Sequence, residues 1–324
     1  MQTTNSSRYR LAYVFAVAAL LSVASGCEDG INSTYGRRGG LGADSVNGTA
    51  VLASMFEQTG HRVSTTSRLA PKIMNKADVI VWAPDDFTAP SDKVRDWFNA
   101  WWLDAPGRTL IYIGRDYDAA PGYWKQVQKS APPEQLAEFK RRQAAAQNRY
   151  LQQRTDMPAD EDCDWFTVKG KRKRIRVKTL TGESSWTAGV NAGKLEIELN
   201  GRLVPPADAQ TVLGSGSDAI VSRQMISGGK LIVVANGSFL LNLPLVNHEH
   251  RKLAGSLIAE VGQGRQVFFL ESDAGGPPVL DEDPSDVPRN GMEIFGVKPF
   301  DSILLHLAFL GVIFCAARFP IFGR

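Results

Sequence analysis

Hydrophobic residues along this chain form short continuous runs, and the segments between them carry apolar residues at helical spacing. Four runs of strand length are almost entirely apolar, which is typical of parallel strands buried on both faces. These runs are 77–82, 109–113, 229–235 and 266–270. The segment 92–103 places Trp97 and Trp101 on one helical face, which predicts that both belong to the core. The pattern predicts an α/β fold with an open, mostly parallel sheet flanked by helices.

The N-terminal end has the composition of an export signal. Arg8 and Arg10 precede an apolar run over 11–24, which is short for a helix that must cross a membrane, since this takes about 20 residues. The run ends in Ala-Ser-Gly followed by Cys27, which resembles a bacterial lipobox. We therefore predict a signal peptide with lipobox over 1–27 and lipidation at Cys27. An uncleaved anchor and cleavage without lipidation stay open as alternatives.

The C-terminal end carries a second apolar run, predicted to form a transmembrane helix over 299–319. Acidic residues within 281–286 precede the run, and Arg318 and Arg324 follow it. The positive-inside rule then places the C-terminus in the cytoplasm and most of the chain outside it. A buried helix of the core is the alternative.

Composition divides the rest of the chain. A glycine-rich segment is expected to be a flexible tether, a polar helix followed by a basic β segment is expected to form an insertion, and an acidic, proline-containing stretch is expected to be a linker. The predicted boundaries are 28–46 for the glycine-rich linker, 47–130 and 217–273 for the two halves of the α/β domain, 131–216 for the insertion, and 274–298 for the acidic linker.

Charge and cysteine content exclude several classes of protein. The net charge of +3 is too small to indicate a nucleic-acid partner, and 43% hydrophobic residues exclude a disordered chain. The 3 cysteines, Cys27, Cys163 and Cys315, form no C-x-x-C pair. This argues against a disulfide framework and against a zinc site, and no cofactor is predicted.

A strongly basic segment follows the polar helix of the insertion. Basic and apolar residues alternate through it, which predicts a half-exposed strand or hairpin around Gly170. Its cations are Lys169, Lys171, Lys173, Lys178, Arg172, Arg174 and Arg176. Such a stripe can meet anionic lipid headgroups, or it can protect an edge strand against pairing with other chains.

Polar residues follow three of the strand-like runs directly. They are Asp85, Asp86, Gly114, Arg115, Asp116 and Glu271. Ligands of open α/β sheets bind at the carboxyl ends of the strands, so these residues are our candidate binding site. Carboxylates gathered there can act as acid and base or bind a cation or a sugar. Aspartate is also common in ordinary turns, and both interpretations stay open.

No catalytic constellation is visible. A nucleophile on this kind of fold belongs on a sharp turn after a buried strand, and the turn 114–116 contains neither Cys nor Ser. Asn247 is expected to cap a helix whose first turn contains His248 and His250. Histidines two residues apart point to different helix faces, which favours a capping region over a metal site. We predict no catalytic residue and no metal ligand, and the sequence favours a protein that is not an enzyme.

Several segments, in their order along the chain, resemble the bacterial family known as domain of unknown function 4350. The matching segments are 45–49, 60–63, 77–81, 229–234 followed by Asn242, and 267–271 ahead of the C-terminal run. Two asparagines within these segments, Asn47 and Asn242, complete our set of candidate binding residues.

The resemblance implies a fold similar to class I glutamine amidotransferases, of the flavodoxin-like kind, a membrane location, and gene neighbourhood with MoxR-type ATPases. It implies no established activity. Family members often carry histidines just after the strand-end glutamate, whereas Glu271 is followed here by Ser272 and Asp273.

We therefore expect a non-catalytic, membrane-anchored envelope protein that binds or scaffolds a partner, with its main domain outside the cytoplasm. The partner is expected to be a protein, with a MoxR-type ATPase-linked system as one candidate. The alternative is a hydrolase or carbohydrate-binding module that uses the strand-end carboxylates. A lipid-surface sensor that uses the basic segment is a third hypothesis.

Overall fold

A computed structural model describes residues 31–283 and 300–318. The boundary between two compact units falls between Val279 and Leu280. The predicted lipidation site Cys27 and the rest of the signal segment lie outside the described residues.

The first unit contains seven helices and thirteen strands among the residues described. Its helices are α1 (Ala50–Gln58), α2 (Pro71–Lys76), α3 (Asp92–Asp104), α4 (Ala120–Val127), α5 (Leu136–Gln153), α6 (Ser184–Thr187) and α7 (His248–Ala259). Its strands are β1 (Arg62–Thr66), β2 (Val79–Trp82), β3 (Thr109–Ile113), β4 (Glu161–Cys163), β5 (Phe166–Lys169), β6 (Ile175–Arg176), β7 (Thr181–Gly182), β8 (Glu198–Leu199), β9 (Arg202–Val204), β10 (Gln210–Ser215), β11 (Asp218–Ile226), β12 (Gly229–Val234) and β13 (Gln266–Leu270).

The main sheet has 8 strands in the order β1-β13-β2-β3-β12-β11-β10-β7. The first five pair in parallel, and the last three add to them in antiparallel fashion. The α/β class is therefore as predicted, but the sheet is mixed rather than mostly parallel. β7 and β10 fall within the segment assigned to the insertion, yet both belong to this sheet.

Two apolar layers sandwich the sheet because successive strand residues point to opposite faces. One layer packs α1 and α7 against residues such as Val81 and Ile111. The other packs α2, α3 and the small β4-β5-β9 sheet against residues such as Trp82 and Tyr112. Trp97 and Trp101 are buried in the second layer, as their spacing predicted.

The second unit contains the helix α8 (Phe300–Arg318). Within 31–283 and 300–318, no helix has both the length and the apolar character needed to cross a membrane, so the predicted C-terminal transmembrane helix is wrong. The sequence shows a physical reason: Asp301, His306 and Arg318 leave an uninterrupted apolar run only over 307–317. That run is well short of the ~20 residues that a span requires.

Candidate functional site

The N-terminal segment 31–49, here called the strap, lies across the carboxyl ends of three neighbouring strands. Tyr35 donates from its hydroxyl to the carbonyl oxygen of Gly114, which follows β3, at 2.9 Å. Gly36 packs against Ala83, which follows β2, so closely that an added Cβ would lie 2.0 Å from the Ala83 carbonyl oxygen. The strap reaches β13 through Glu271, whose Oε1 accepts from the backbone N–H of Arg38 at 2.8 Å and from the next amide at 3.0 Å.

The strap is therefore ordered where glycine content predicted a flexible tether. Its two arms are paired by backbone hydrogen bonds, from Gly36 to Asn47 at 3.0 Å and from Thr49 to Arg37 at 2.9 Å. Gly36 has φ +66, a conformation that favours glycine. The glycines of this segment serve close packing and turns, and the carboxyl edge of the sheet is covered by the chain itself.

Asp116 holds the insertion onto the end of β3. Its carboxylate accepts from Tyr150 at 2.6 Å, from the Arg154 guanidinium at 2.8 and 3.2 Å, and from the Gly201 backbone N–H. The side chain is buried. Burial, together with the neighbouring Asp116 carboxylate, raises the pKa of Tyr150 well above its ordinary value, so the phenol remains a donor. The two carboxylate oxygens of Asp116 thus accept four hydrogen bonds, and the residue is a buried junction between the insertion and the end of β3.

Arg115 is enclosed beside this junction. Its Nε donates to Asp85 at 2.5 Å, and its other nitrogens donate to the Tyr117 carbonyl at 2.8 Å and to Gln153 at 3.2 Å. The guanidinium lies over the Tyr35 ring, 4.0 Å from the ring centroid. The cation–π contact and the hydrogen bonds of Arg115 are thus all made with other groups of the protein.

The remaining strand-end carboxylates also have internal donors. Asp86 accepts from Thr88 at 2.9 Å and from the Gly275 backbone N–H at 2.7 Å, while Glu271 holds the strap. The structure does bring the candidate residues Asp85, Asp86, Gly114, Arg115, Asp116 and Glu271 to one edge of the sheet. It places them as the supports of two covering segments, and the cavity that Asp86, Gly114, Arg115 and Asp116 help to line has a volume of only about 10 Å³.

The two candidate asparagines organise the strap. Asn47, fully buried, donates to Asp118 at 2.9 Å and accepts from the Ala119 N–H at 2.8 Å. Asn47 does not cap α1. Asn242 does so from a distant part of the chain, because its Oδ1 accepts from the N–H of Val51 at 2.9 Å. The Asn242 side-chain amide also donates to the Ser45 carbonyl at 2.8 Å.

The model of the domain of unknown function 4350 matches residues 43–258, which include both asparagines and the segments they join. The chain belongs to this family. No curated protein and no solved structure matches it.

An open concavity near this edge lies between the insertion on one side and α4 with the loop after β3 on the other; we call it the insertion cleft. It has a volume of about 360 Å³, within the range of small-ligand sites. Its walls come from α4, α5, the β6-β8 ribbon and the loop after β3. They include Tyr117, Asp118, Lys125, Gln126, Lys129, Gln143, Gln147, Tyr150, Arg174, Arg176, Glu196, Glu198 and Asn200.

Sequence reasoning missed this cleft. Arg174 and Arg176 were visible only as part of a basic stripe, and their acidic partners lie about twenty residues further on. In the structure Arg174 pairs with Glu198, and Arg176 pairs with Glu196 at 3.1 Å across the ribbon. The one signal in the sequence that indicates the ribbon wall of the cleft is that the alternating acids Glu196 and Glu198 complement the alternating cations Arg174 and Arg176.

The predicted capping region at α7 is confirmed, because Asn247 accepts from the N–H of Glu249 at 2.9 Å. His250 in the same turn is buried. One ring nitrogen, Nδ1, lies 2.9 Å from the Pro244 carbonyl, and the other, Nε2, accepts from the Glu196 backbone N–H at 3.0 Å. This arrangement requires a neutral imidazole, and burial lowers the pKa of His250 below its ordinary value of 6.5.

We expect acidification below about pH 6.5 to destabilise the fold through His250. A folded-state pKa below the unfolded one means that the unfolded chain binds more protons, so the contribution is fully present above 6.5 and is lost as pH falls towards the folded value. Replacing His250 by Gln should reduce the slope of unfolding free energy against pH between about pH 5 and about pH 7. His61, whose pKa burial also lowers, leaves a residual slope.

The matched control is His248→Gln, because His248 lies two residues away on the same helix and is exposed. Urea unfolding across the pH series should give the wild-type slope for this control. Equal slopes for the His250→Gln variant and the wild type would contradict the prediction.

Proposed function

We propose that this chain is a non-catalytic binding protein of the bacterial cell envelope that engages a protein partner through its insertion. The observation that carries the proposal is that the strand-end carboxylates are already engaged in hydrogen bonds within the protein. Each accepts hydrogen bonds from the chain's own donors: Asp116 from the insertion, Glu271 from the strap, and Asp85 from Arg115. Catalytic groups must reach a substrate, and these are committed to holding the cover of the sheet edge.

The same contacts speak against the hydrolase alternative. A general acid or base needs a lone pair or proton directed at the substrate, whereas Asp116 receives three side-chain hydrogen bonds and one backbone hydrogen bond. We further propose that the domain is an amidotransferase-like scaffold without its nucleophile. The turn after β3, where a nucleophile would be placed, reads Gly-Arg-Asp at 114–116.

The insertion offers a charged surface for a partner. Lys169 pairs with Asp160, and Arg174 and Arg176 pair with the acids of the β6-β8 ribbon. Between them, the segment 171–173 carries three adjacent exposed cations at the turn from β5 to β6. We propose that this turn contacts an acidic surface of the partner, for which a MoxR-type ATPase-linked complex is the candidate that the family resemblance supplies.

The partner is tested by affinity capture of the tagged full-length chain from detergent-solubilised membranes. We expect one protein in stoichiometric amount with the wild type, and its loss when Lys171, Arg172 and Lys173 are all changed to Glu. A triple variant that reverses the same number of exposed charges elsewhere, at Arg68, Lys76 and Lys93, should retain it. Failure of the wild type to recover a stoichiometric protein would remove the support for a scaffold role.

Attachment to the envelope is proposed to occur through a lipid on Cys27, on the basis of the lipobox-like sequence that precedes it. Radiolabelled palmitate should enter the wild-type chain and not a Cys27→Ser variant. Globomycin, which blocks lipoprotein signal peptidase, should leave the wild type as a larger precursor. Label in the Cys27→Ser chain would show that the lipobox is not used.

A further inference from the structure

The insertion cleft differs from the covered sheet edge in having polar groups that remain open to a ligand. Of its ionised residues, four are basic and three acidic, so it carries one more cation than anion. This near-balance of charge disfavours a polyanionic ligand, because the three carboxylates of the cleft would repel it. The scarcity of apolar lining side chains equally disfavours a hydrophobic ligand.

The ribbon side of the cleft presents donors and acceptors as adjacent pairs. Arg174 lies against Glu198, and Arg176 lies against Glu196. A hydroxyl group both donates and accepts, so it can bond to the arginine and the glutamate of one pair together. Neighbouring hydroxyls of a sugar ring therefore match the ribbon better than groups that only donate or only accept.

The helical side adds amides and two lysines. Gln126, Gln143 and Gln147 line it, and each carries a carbonyl oxygen and an NH₂ group; the Gln143 oxygen already accepts from Gln128 at 2.7 Å, which leaves its NH₂ group for a ligand. Lys125 and Lys129 are exposed, and no ion pair of either is formed with the described residues. Two ammonium groups without a carboxylate partner provide a place for one negative charge on the ligand.

The phenol of Tyr117 also lines the cleft. Tyr117 is partly buried there, and its hydroxyl makes no hydrogen bond within the described part of the chain. Burial raises its pKa well above the ordinary value, with Glu198 and Asp118 adding to the effect. The hydroxyl thus remains a donor at all physiological pH values, and a ligand oxygen would satisfy it.

We propose that the insertion cleft binds a short glycan segment that carries a carboxylate, with the ribbon ion pairs bonded to sugar hydroxyls and Lys125 and Lys129 paired with the carboxylate. The proposal rests on the non-catalytic binding role proposed above and names a ligand for it. A volume of about 360 Å³ accommodates one to two sugar rings.

Isothermal titration calorimetry of the detergent-solubilised full-length chain tests the assignment. The probes are the disaccharide of N-acetylglucosamine and N-acetylmuramic acid, whose second ring bears a carboxylate, and chitobiose, which is neutral. We expect the acidic disaccharide to bind at least about tenfold more tightly, as one charge-assisted contact implies. A hexaglutamate peptide that binds while both sugars fail would overturn the proposal in favour of an acidic peptide ligand.

Variants connect binding to the cleft. Lys125→Gln with Lys129→Gln should abolish the preference for the acidic disaccharide, and Tyr117→Phe should weaken both sugars a few-fold. Lys93→Gln, an exposed lysine on α3, is the matched control and should bind as the wild type. Each variant is checked by thermal unfolding, so that loss of binding is read only from folded protein. Unaltered affinity in both cleft variants would overturn the proposal.

Capture of the protein partner distinguishes the two proposals. If the wild type recovers a partner but binds neither sugar, the glycan proposal is wrong and the scaffold role stands. If the wild type binds the acidic disaccharide but recovers no partner, the scaffold role is wrong and the glycan proposal for the cleft stands. Hydrolysis of the disaccharide, followed by chromatography, would overturn the non-catalytic role on which both rest.

Discussion

Replacing Asp116 by Ala should lower the free energy of unfolding by about 3 to 5 kcal/mol, the range measured when one partner of a buried ion pair is removed. The side chain is 6% exposed, so water replaces its hydrogen bonds poorly. Its loss leaves Tyr150, the Arg154 guanidinium and the Gly201 N–H without their common acceptor. Because these donors all come from the insertion, we expect the insertion to separate from the end of β3.

Urea unfolding followed by tryptophan fluorescence measures the effect. Asp164→Ala is the matched control: it removes the same group from an exposed position in the same insertion. Surface substitutions of this kind usually change stability by less than about 0.5 kcal/mol. If Asp116→Ala and Asp164→Ala unfold at the same urea concentration, the carboxylate is not the junction described here.

Replacing Gly36 by Ala should release the strap from the sheet. The new methyl group would lie 2.0 Å from the Ala83 carbonyl oxygen, so either the strap or the end of β2 must move. Overpacking of this kind typically costs about 1 to 3 kcal/mol, in addition to about 1 kcal/mol for the positive φ. Hydrogen exchange at the backbone amides of Arg38 and Gly39, which Glu271 holds, should accelerate on the order of 30-fold.

Gly40 provides an unusually close control. It has φ +54, similar to the φ +66 of Gly36, but an added Cβ there would meet no atom within 4 Å. Gly40→Ala therefore carries the conformational strain without the steric overlap. The difference between the two variants isolates the contact with Ala83. Equal exchange rates in both variants would mean that close packing of the strap contributes nothing to its attachment.

The sequence predicted those elements whose signals are local. Buried strands such as β3 and β12 were visible as apolar runs, and the helix cap at Asn247 was visible as a residue type at a helix start. The position of the candidate residues at one sheet edge also followed, because parallel strands end on the same side. These inferences need only a few neighbouring residues and the regular geometry of strands and helices.

The strap and the antiparallel strands were not predictable in this way. Glycine in 28–46 predicted flexibility, whereas Gly36 is there because Ala83 approaches its backbone, and Ala83 is far away in sequence. β10 belongs to the sheet because it pairs with β11. Nothing in the sequence of β10 itself indicates this pairing, so its segment resembled part of the insertion. Both features are set by contacts between distant segments, for which a single sequence gives no periodic signal.

The strand order has a consequence for the path by which the chain folds. β13 is the last strand of the sheet to be synthesised, yet it lies between β1 and β2, which are among the first. Until it arrives, the facing edges of β1 and β2 have no partner, and Glu271 cannot receive the strap. A chain shortened before 266 therefore exposes two open strand edges, which are templates for aggregation. We expect nascent chains of this protein to depend on holding chaperones until almost the whole first unit has been made.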